Sequence, residues 1–596
     1  MKKIPFISDL VHYFGVFRSY AGKRLYILFA LILLSGLAES LGITLVLPIL
    51  DFGQPVENDN AIAKAIHAFI NALGIEQTLL NLVLLLVAAF LIKGCIIFVQ
   101  TVYASKTQYG MACKLRIMLC DKLSLVNYQY YVNSSQGYLT NAITVEAQTA
   151  VGIFGKYVQV VVQVVLIAVY IFSVMLMNWR MTLVLLTVGC AVFFCLRGLS
   201  GLSRRLSVQI SNENAVMQSY LLQTINNFKY LKATAAFERL KRFLFTSIRR
   251  NADLNIKNET ITAIPAAFVE TAVVMVLGGL IIYYVHMQGR SIAEVMVLLL
   301  FFYKAFLKLF GLNVMWHKFN ACVGGIEVVK RLFVDLEQHR EVCGDTVLPG
   351  FASALQLEDV CFSYGDKRVL HNISLTIPRN RSVGIVGHSG AGKTTLFDVM
   401  TGLVKPDCGR IAVDGVDYEA LRLDSLREKI GYVTQEPVIF SDTIANNISL
   451  FECGMSDAPC RDRIQSAARA AHCEAFIREA ADGYETVIGD RGIRLSGGQR
   501  QRLAIARELF KEPEIMIFDE ATSALDSASE KAIQQSIAEM AGKRTIVLIA
   551  HRLSTVRDCD IIYVLEEGRV VEHGAYATLY ADTSSRFHAM CKAQQL

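Results

Sequence analysis

Gly387-His388-Ser389-Gly390-Ala391-Gly392-Lys393-Thr394 carries the spacing G-x-x-x-x-G-K-[ST]. A loop of this kind must follow a strand and open a helix. The flanks comply: Ser382–Val386 is an apolar run, and Thr395–Met400 has a helical composition. The glycines let backbone N–H groups point inward at phosphate oxygens. Lys393 then reaches the β- and γ-phosphates of a nucleotide, and the Thr394 hydroxyl holds Mg2+. Ile515-Met516-Ile517-Phe518-Asp519-Glu520 reads as a buried strand ending in two carboxylates. Asp519 is placed to organise Mg2+ and its water, and Glu520 to polarise the attacking water. Upstream, Leu495-Ser496-Gly497-Gly498-Gln499 heads a helical run from Arg500 to Phe510, a second anion-binding N-terminus. Each pattern alone has a structural explanation, as a strand end or a capped helix. In this order they describe the machinery for hydrolysing a nucleoside triphosphate.

The elements that position these residues occupy only the second half of the chain. Of 596 residues, 53% are hydrophobic and 19% charged, which excludes a disordered or collagen-like chain and makes an all-soluble one improbable. The 14 cysteines show no C-x-x-C spacing, so neither a disulfide scaffold nor a structural zinc site is expected. A net charge of +6 is too mild and too dispersed to point to nucleic acid. A spanning helix needs about 20 mostly apolar residues. Six stretches qualify: Leu25–Leu50, Leu79–Tyr103, Tyr157–Met177, Met181–Leu199, Ala263–Val285 and Ile292–Leu312. Their connections alternate between poorly and richly basic, and the richly basic side includes the N-terminus. The positive-inside rule puts that side in the cytoplasm. Met1–Tyr20 is amphipathic and too polar to span, so it reads as an interfacial helix. The basic connections are long and helical in pattern. The spans are therefore expected to continue far beyond the membrane and to turn at short transverse helices near Asn127–Gly137 and Thr224–Thr234. The expected domains are a membrane domain over 1–336, a linker over 337–353 and a nucleotide-binding domain over 354–596.

Charges inside spans are costly and usually functional. Glu39, Lys93, Glu270, Lys304 and Lys308 interrupt the apolar runs. At ~1.5 Å per residue they share a depth of about 16–26 Å below the outer ends of their spans. They form either packing salt bridges, such as Glu39 with Lys93, or a polar belt. In the belt, Lys304 and Lys308, on one helix face at i, i+4, attract an anionic head group such as a pyrophosphate.

With the loop, the carboxylate strand and the Leu495–Gln499 turn in place, the second half resembles the ATP-binding cassette family. The resemblance implies further roles. Tyr364 in Phe362-Ser363-Tyr364-Gly365 looks like the aromatic that stacks on adenine, and His388, Ser389, Ala391 and Thr395 would join the loop in binding ATP. Gln435 in Tyr432-Val433-Thr434-Gln435-Glu436-Pro437 looks like the glutamine that senses Mg2+ and the membrane domain. Ser496, Gly497, Gly498 and Gln499 form the family signature, and Asp526 in Ser523-Ala524-Leu525-Asp526 lies in the loop that crosses a dimer interface. His551 looks like the switch histidine that contacts the γ-phosphate. Thr486–Gly492 resembles the exporter-specific segment, with Asp490 where Glu is more usual.

The implied fold is an all-α six-helix transmembrane domain with long cytoplasmic extensions, followed by an α/β P-loop ATP-binding cassette domain. Family members sandwich each ATP between the P-loop of one domain and the signature of another. One copy of each therefore implies a partner, here an identical chain. Gly36–Ile43 through Leu47-Pro48, Ile225–Tyr230 and Ala263-Ile264-Pro265 look like the lipid-linked oligosaccharide flippase branch, which implies an anionic lipid-linked substrate. The rivals are a multidrug, peptide or lipid A-type exporter of the same architecture and, in a different class, an ATP-gated channel or regulator.

Overall fold

The structure, a computed structural model, describes residues 5–594 apart from 51–67, 69, 73, 75, 77, 178, 284–291, 490–491, 522–525 and 551. Some helical side chains, Glu270 among them, also lie outside the description. The chain divides into two compact units: Met1–Val126 with Tyr130–Arg340, and Glu341–Leu596 with Asn127–Gln129.

The first unit is helical. Among the described residues, four helices are long and apolar enough to cross a bilayer: Arg24–Thr44, Leu79–Ser124, Gln136–Leu176 and Leu299–Gln338. The expected fourth and fifth spans fall on the helices Trp179–Asn226 and Phe237–Ile281. The first span is shorter than its apolar run. The helix ends at Thr44, and Val46–Leu50 forms a separate short helix. Pro48 accounts for the break: it has no N–H to offer the Thr44 carbonyl, and its ring collides with that carbonyl in a continuous helix.

The helices Leu79–Ser124 (46 residues), Trp179–Asn226 (48), Phe237–Ile281 (45) and Ile292–Gln338 (47) each measure about 70 Å at 1.5 Å per residue. That is more than twice the ~30 Å hydrocarbon core. Leu79–Ser124 is capped by Thr78, whose Oγ1 accepts from the Asn81 N–H at 3.3 Å. The short helices Tyr128–Asn133 and Phe228–Ala233 occupy the two expected transverse turns. Beyond the apolar segments, ion pairs such as Arg204–Glu327 at 2.8 Å and Lys122–Glu337 tie the extensions together.

The N-terminal helix Pro5–Ala21 lays its aromatic face on the bundle. Phe17 is buried against Phe154 at 5.2 Å between ring centroids, and Tyr13 meets Phe319 edge-on at 4.9 Å. Val11 and Tyr20 stay exposed.

The second unit is α/β and carries two sheets. The strands are β1 (Ala354–Tyr364), β2 (Lys367–Pro378), β3 (Ser382–Gly387), β4 (Cys408–Val413), β5 (Val416–Asp417), β6 (Ile430–Val433), β7 (Ile515–Asp519), β8 (Thr545–Ala550), β9 (Ile561–Glu566) and β10 (Arg569–Gly574). One sheet has the order β2-β1-β4-β5 and is antiparallel. The other has the order β10-β9-β3-β8-β7-β6, parallel except at β10. Strands β3, β7 and β8 are buried along their length except at Ser382, because helices cover both faces of a parallel sheet.

Glu341–Ser353, where a linker is expected, is threaded into this unit. Leu348 and Phe351 are buried in its core, and the Asp414 carboxylate accepts from the N–H groups of Ala352 and Ser353. Free backbone donors at the start of β1 thereby find a partner. Among the described residues one local disulfide, Cys453–Cys460, joins the loop after the helix Ile444–Ser449 to the helix Ala458–Ala470. It is a bridge within one subdomain rather than a scaffold.

Candidate functional site

Strand β3 lies between β8 and β9 at the centre of the parallel sheet and delivers the chain to the loop His388–Gly392. The loop must turn sharply into the helix Lys393–Met400. Gly392 makes that turn with φ 97°, a conformation that side chains with a Cβ rarely adopt. Lys393 opens the helix at 6% exposure, and its Nζ donates to the carbonyls of Gly387 at 2.8 Å and His388 at 3.0 Å. The ammonium thus closes the loop across its own mouth. Burial lowers its pKa, while the charges of Glu520 and Asp519 oppose that shift. Thr394 is exposed and Thr395 buried.

Two strands away in the same sheet, β7 presents the carboxylates. Asp519 is 8% exposed, and Glu520 follows it with φ 48°, a left-handed conformation unusual for glutamate. Two hydrogen bonds hold it there. The Glu520 N–H donates to the Ile549 carbonyl at 2.9 Å, and Gln435 Nε2 donates to Glu520 Oε2 at 2.8 Å. The sheet register thus brings together Lys393, Asp519, Glu520 and Gln435. A cleft of about 160 Å³ opens beside Glu520, lined by Phe518, Ala521, Leu548, Ala550 and Arg552. None of the loop residues 387–394 lines it, so it is not the nucleotide seat.

The Ser496–Gln499 turn is a complete capping box. Ser496 Oγ accepts from the Gln499 N–H at 3.2 Å, and Gln499 Oε1 accepts from the Ser496 N–H at 2.8 Å. A Cβ on Gly498 would lie 2.1 Å from Ser529 Oγ, so only glycine lets this helix end approach the next one. That next helix, Ser527–Met540, is capped by Asp526, and the hydrogen bond from Ser529 holds its carboxyl below the usual range. Tyr364 ends β1 half exposed, with its hydroxyl hydrogen-bonded to Thr395 and Asp398 on the P-loop helix. His551, Ser523–Leu525 and Asp490 lie outside the described residues.

Three residues not singled out from sequence support this arrangement. Gln501 Nε2 donates to the Thr434 carbonyl at 3.1 Å, next to Gln435. Arg507, 6% exposed, donates to the carbonyls of Asn447 and Val438 and to Asn447 Oδ1. Both lie on the helix Gly497–Phe510 and fix the segment after β6 to it. The available signal was a polar residue and an arginine on the helix's otherwise apolar face. Asp398 is the third. Burial pushes its carboxyl up to about 6, the Asp519 charge adds to the rise, and the Tyr364 hydrogen bond opposes it.

In the first unit, Glu39, 7% exposed, pairs with Lys93 at 3.3 Å. Tyr170 is fully buried close to Glu39, and Lys308 lies within electrostatic range of Glu39, Lys93 and Lys304. Four of the five expected intramembrane charges therefore converge. Glu270 is on the helix Phe237–Ile281, its side chain outside the described set.

Known proteins match both units. Residues 370–523 match the ABC transporter family, and residues 25–306 match the ABC transporter transmembrane region. The chain is 33% identical to the heterocyst differentiation ATP-binding protein HepA of Nostoc sp. over 498 residues, 82% of this chain and 80% of the relative. It is 32% identical to the ATP-dependent lipid A-core flippase of Pseudomonas aeruginosa over 522 residues, 85% of this chain and 84% of the relative. A bacterial Atm1-family ABC exporter solved with ATP bound superposes with a TM-score of 0.78 at 25% identity, covering 96% of this chain and 98% of that one. A membrane region and a cassette fused in one chain, aligned over most of their length to such relatives, place the protein in the ABC transporter family as a half-transporter of the exporter type, which couples ATP hydrolysis to transport across a membrane.

Proposed function

We propose that the chain works as a homodimer in a bacterial inner membrane, with its N-terminus and cassette in the cytoplasm. It moves an amphipathic, anionic, lipid-linked substrate outward from the inner leaflet by alternating access. The carrying observation is the charge balance around Glu39. Among the described side chains, the Glu39 carboxylate faces Lys93 and Lys308, and Lys304 lies within range of Lys308, so pairing leaves a positive surplus deep in the apolar segment. A buried surplus of this kind attracts an anionic head group. An apolar crevice of about 490 Å³, lined by Val46, Leu277, Leu299, Leu300 and Tyr303, borders the turn that carries Lys304 and suits a lipid tail. A lipid A-type substrate fits the same chemistry, and the lipid A-core flippases among the relatives favour it equally.

In the cassette, Tyr364 stacks on adenine, and Gly387, Gly390, Gly392, Lys393 and Thr394 hold the phosphates. The hard oxygen donors Thr394, Asp519 and Gln435 suit Mg2+, which would neutralise phosphate charge when bound. Glu520 orients and deprotonates the attacking water, and His551 contacts the γ-phosphate. The partner chain supplies Ser496–Gln499 to complete each site.

ATPase activity of the protein in nanodiscs, with undecaprenyl-linked glycans or with lipid A, tests the substrate. Stimulation by either, abolished by Lys304→Ala with Lys308→Ala while basal hydrolysis persists, supports the belt. Stimulation that persists in the double variant removes the belt from recognition. Stimulation by peptides or drugs alone transfers the chain to those exporters.

A further inference from the structure

Two thiols face each other at the root of the hairpin that carries Tyr364. Cys361 on β1 and Cys408 on β4 are register partners across an antiparallel pair. The ladder is irregular there. Between Glu358↔Arg410 and Cys361↔Cys408, strand β1 holds one residue more than β4, and Asp359 bulges with φ 50°. Both sulfurs converge on the carbonyl of that bulge, Cys361 Sγ at 3.6 Å and Cys408 Sγ at 3.9 Å. The two thiols also hydrogen-bond each other. Cys361 is 1% exposed, whereas Cys408 is open to solvent. Arg368, on the neighbouring strand β2, donates from Nη2 to Cys408 Sγ at 3.7 Å.

Burial works against ionising Cys361. Hydrogen bonds with Cys408, the Asn372 backbone and Arg368 outweigh it and hold that thiol below its usual range, while the bond to Cys361 holds Cys408 above it. The pair thus gives up its first proton easily and retains the second, with a guanidinium beside the resulting charge. Directly opposed residues in an antiparallel pair have Cβ atoms about 4.5–5.5 Å apart, and a disulfide needs about 3.8 Å. Closing that gap takes a local strand shift of about 1 Å, which the bulge can absorb.

We propose that Cys361 and Cys408 form a peroxide-sensitive modification site whose cross-strand disulfide displaces the Tyr364 hairpin and weakens ATP binding. The effect on ATP rests on the proposed stacking role of Tyr364. Once the pair has given up its first proton, the one it retains passes across the pair to Cys361, and the exposed Cys408 attacks one oxygen of hydrogen peroxide as the thiolate. The O–O bond breaks, the proton given up first joins the departing hydroxide as a first water, and Cys408 becomes a sulfenic acid. Cys361 then attacks the Cys408 sulfur. The S–O bond breaks, the S–S bond forms, and the hydroxyl departs with the Cys361 proton as a second water. Two thiols lose two electrons and one peroxide gains them. The link closes three residues before Tyr364 on the same strand, so the hairpin tip cannot stay in place when its root moves.

The full chain in nanodiscs is treated with hydrogen peroxide, alkylated and mapped by mass spectrometry, with ATP affinity measured in parallel. A Cys361–Cys408 peptide is expected at doses that leave the exposed Cys113 and Cys120 reduced. Weakening of ATP binding by about threefold or more accompanies it, about 0.65 kcal/mol or more, and dithiothreitol reverses both. Cys408→Ser and Cys361→Ser each abolish the shift without altering affinity before oxidation. The Cys453–Cys460 peptide is resolved separately on the same map. Oxidation of Cys113 or Cys120 before the pair overturns the proposal. So does a Cys361–Cys408 link with unchanged ATP affinity, or a shift that survives in Cys408→Ser. A Tyr364→Ala variant that binds ATP normally defeats the stacking role instead, and the map still decides whether the disulfide forms.

Discussion

Glu520 occupies backbone space that a glutamate adopts at a cost of about 1–3 kcal/mol. The bonds from Gln435 and to Ile549 hold it there, which fixes the carboxylate rather than the fold. Glu520→Gln keeps the size and the backbone bond but removes the charge and the basicity. Hydrolysis is expected to fall by about 10²–10⁴-fold with ATP binding retained. Steady-state ATPase and equilibrium nucleotide binding check the two halves; undiminished turnover takes Glu520 out of the chemistry. Asp398 gives a pH signature. Its folded pKa, about 6, lies above the ordinary carboxyl value of 3.8, so its stabilising contribution is complete below about pH 4 and lost as pH rises through 6. Asp398→Asn is therefore expected to raise the melting temperature at pH 7–8, with the gain vanishing near pH 4. A pH-independent difference would assign the effect to packing. The P-loop and the Asp519-Glu520 pair were legible because their chemistry sits in consecutive residues. Asp398 was not, because burial against Tyr364 joins two residues with no sequence relation.

At the scale of elements, hydrophobic period and charge separated membrane helices from sheet, and runs without breakers announced helices that outlast the bilayer. The break at Thr44 was legible in principle, since Pro48 stands one turn later, but the apolar run masks it. The threading of Glu341–Ser353 depends on Asp414 and Ser425, distant residues that satisfy its backbone, and no local pattern records such a partner. The same holds for Arg507, whose three acceptors lie on another segment. Removing it takes the guanidinium donors from the Asn447 and Val438 carbonyls and leaves Asn447 Oδ1 with the Phe440 N–H. Arg507→Ala is expected to cost on the order of 2–4 kcal/mol and to loosen the segment around Gln435. Arg507→Lys, which keeps the charge but not the fork, is expected to recover only part of it. Denaturant or thermal unfolding measures the loss, and protease susceptibility at Pro437–Asn446 locates it. Unchanged stability in Arg507→Ala would mean that solvent replaces all three bonds.

At the scale of the whole molecule, the capping box sets the terms of assembly. The Ser496–Gln499 turn is rigid, is held by Gly498 against Ser529, and heads a helix of 14 residues. It is thus a preformed helix N-terminus, the positive end of the helix dipole, in which the capping box occupies the Gln499 N–H. If it completes the site of a second chain, the two halves of each site are separable by mutation. Lys393→Ala removes the P-loop cation and leaves the signature. Ser496→Arg blocks the signature and leaves the P-loop. Each homodimer then has no whole site and is expected to be inactive. In a mixed dimer, the Ser496→Arg P-loop meets the Lys393→Ala signature, and one site is whole. Random pairing makes half the dimers mixed, each with one of two sites, so activity should reappear at up to about a quarter of the wild-type rate. Co-reconstituting the two variants and measuring ATPase decides it. Recovery establishes sites shared between identical chains. A mixture as silent as its components means either that each chain hydrolyses alone or that the two sites must fire together. A single-site dimer purified with two affinity tags separates these, because only the second leaves ATP bound at the intact site.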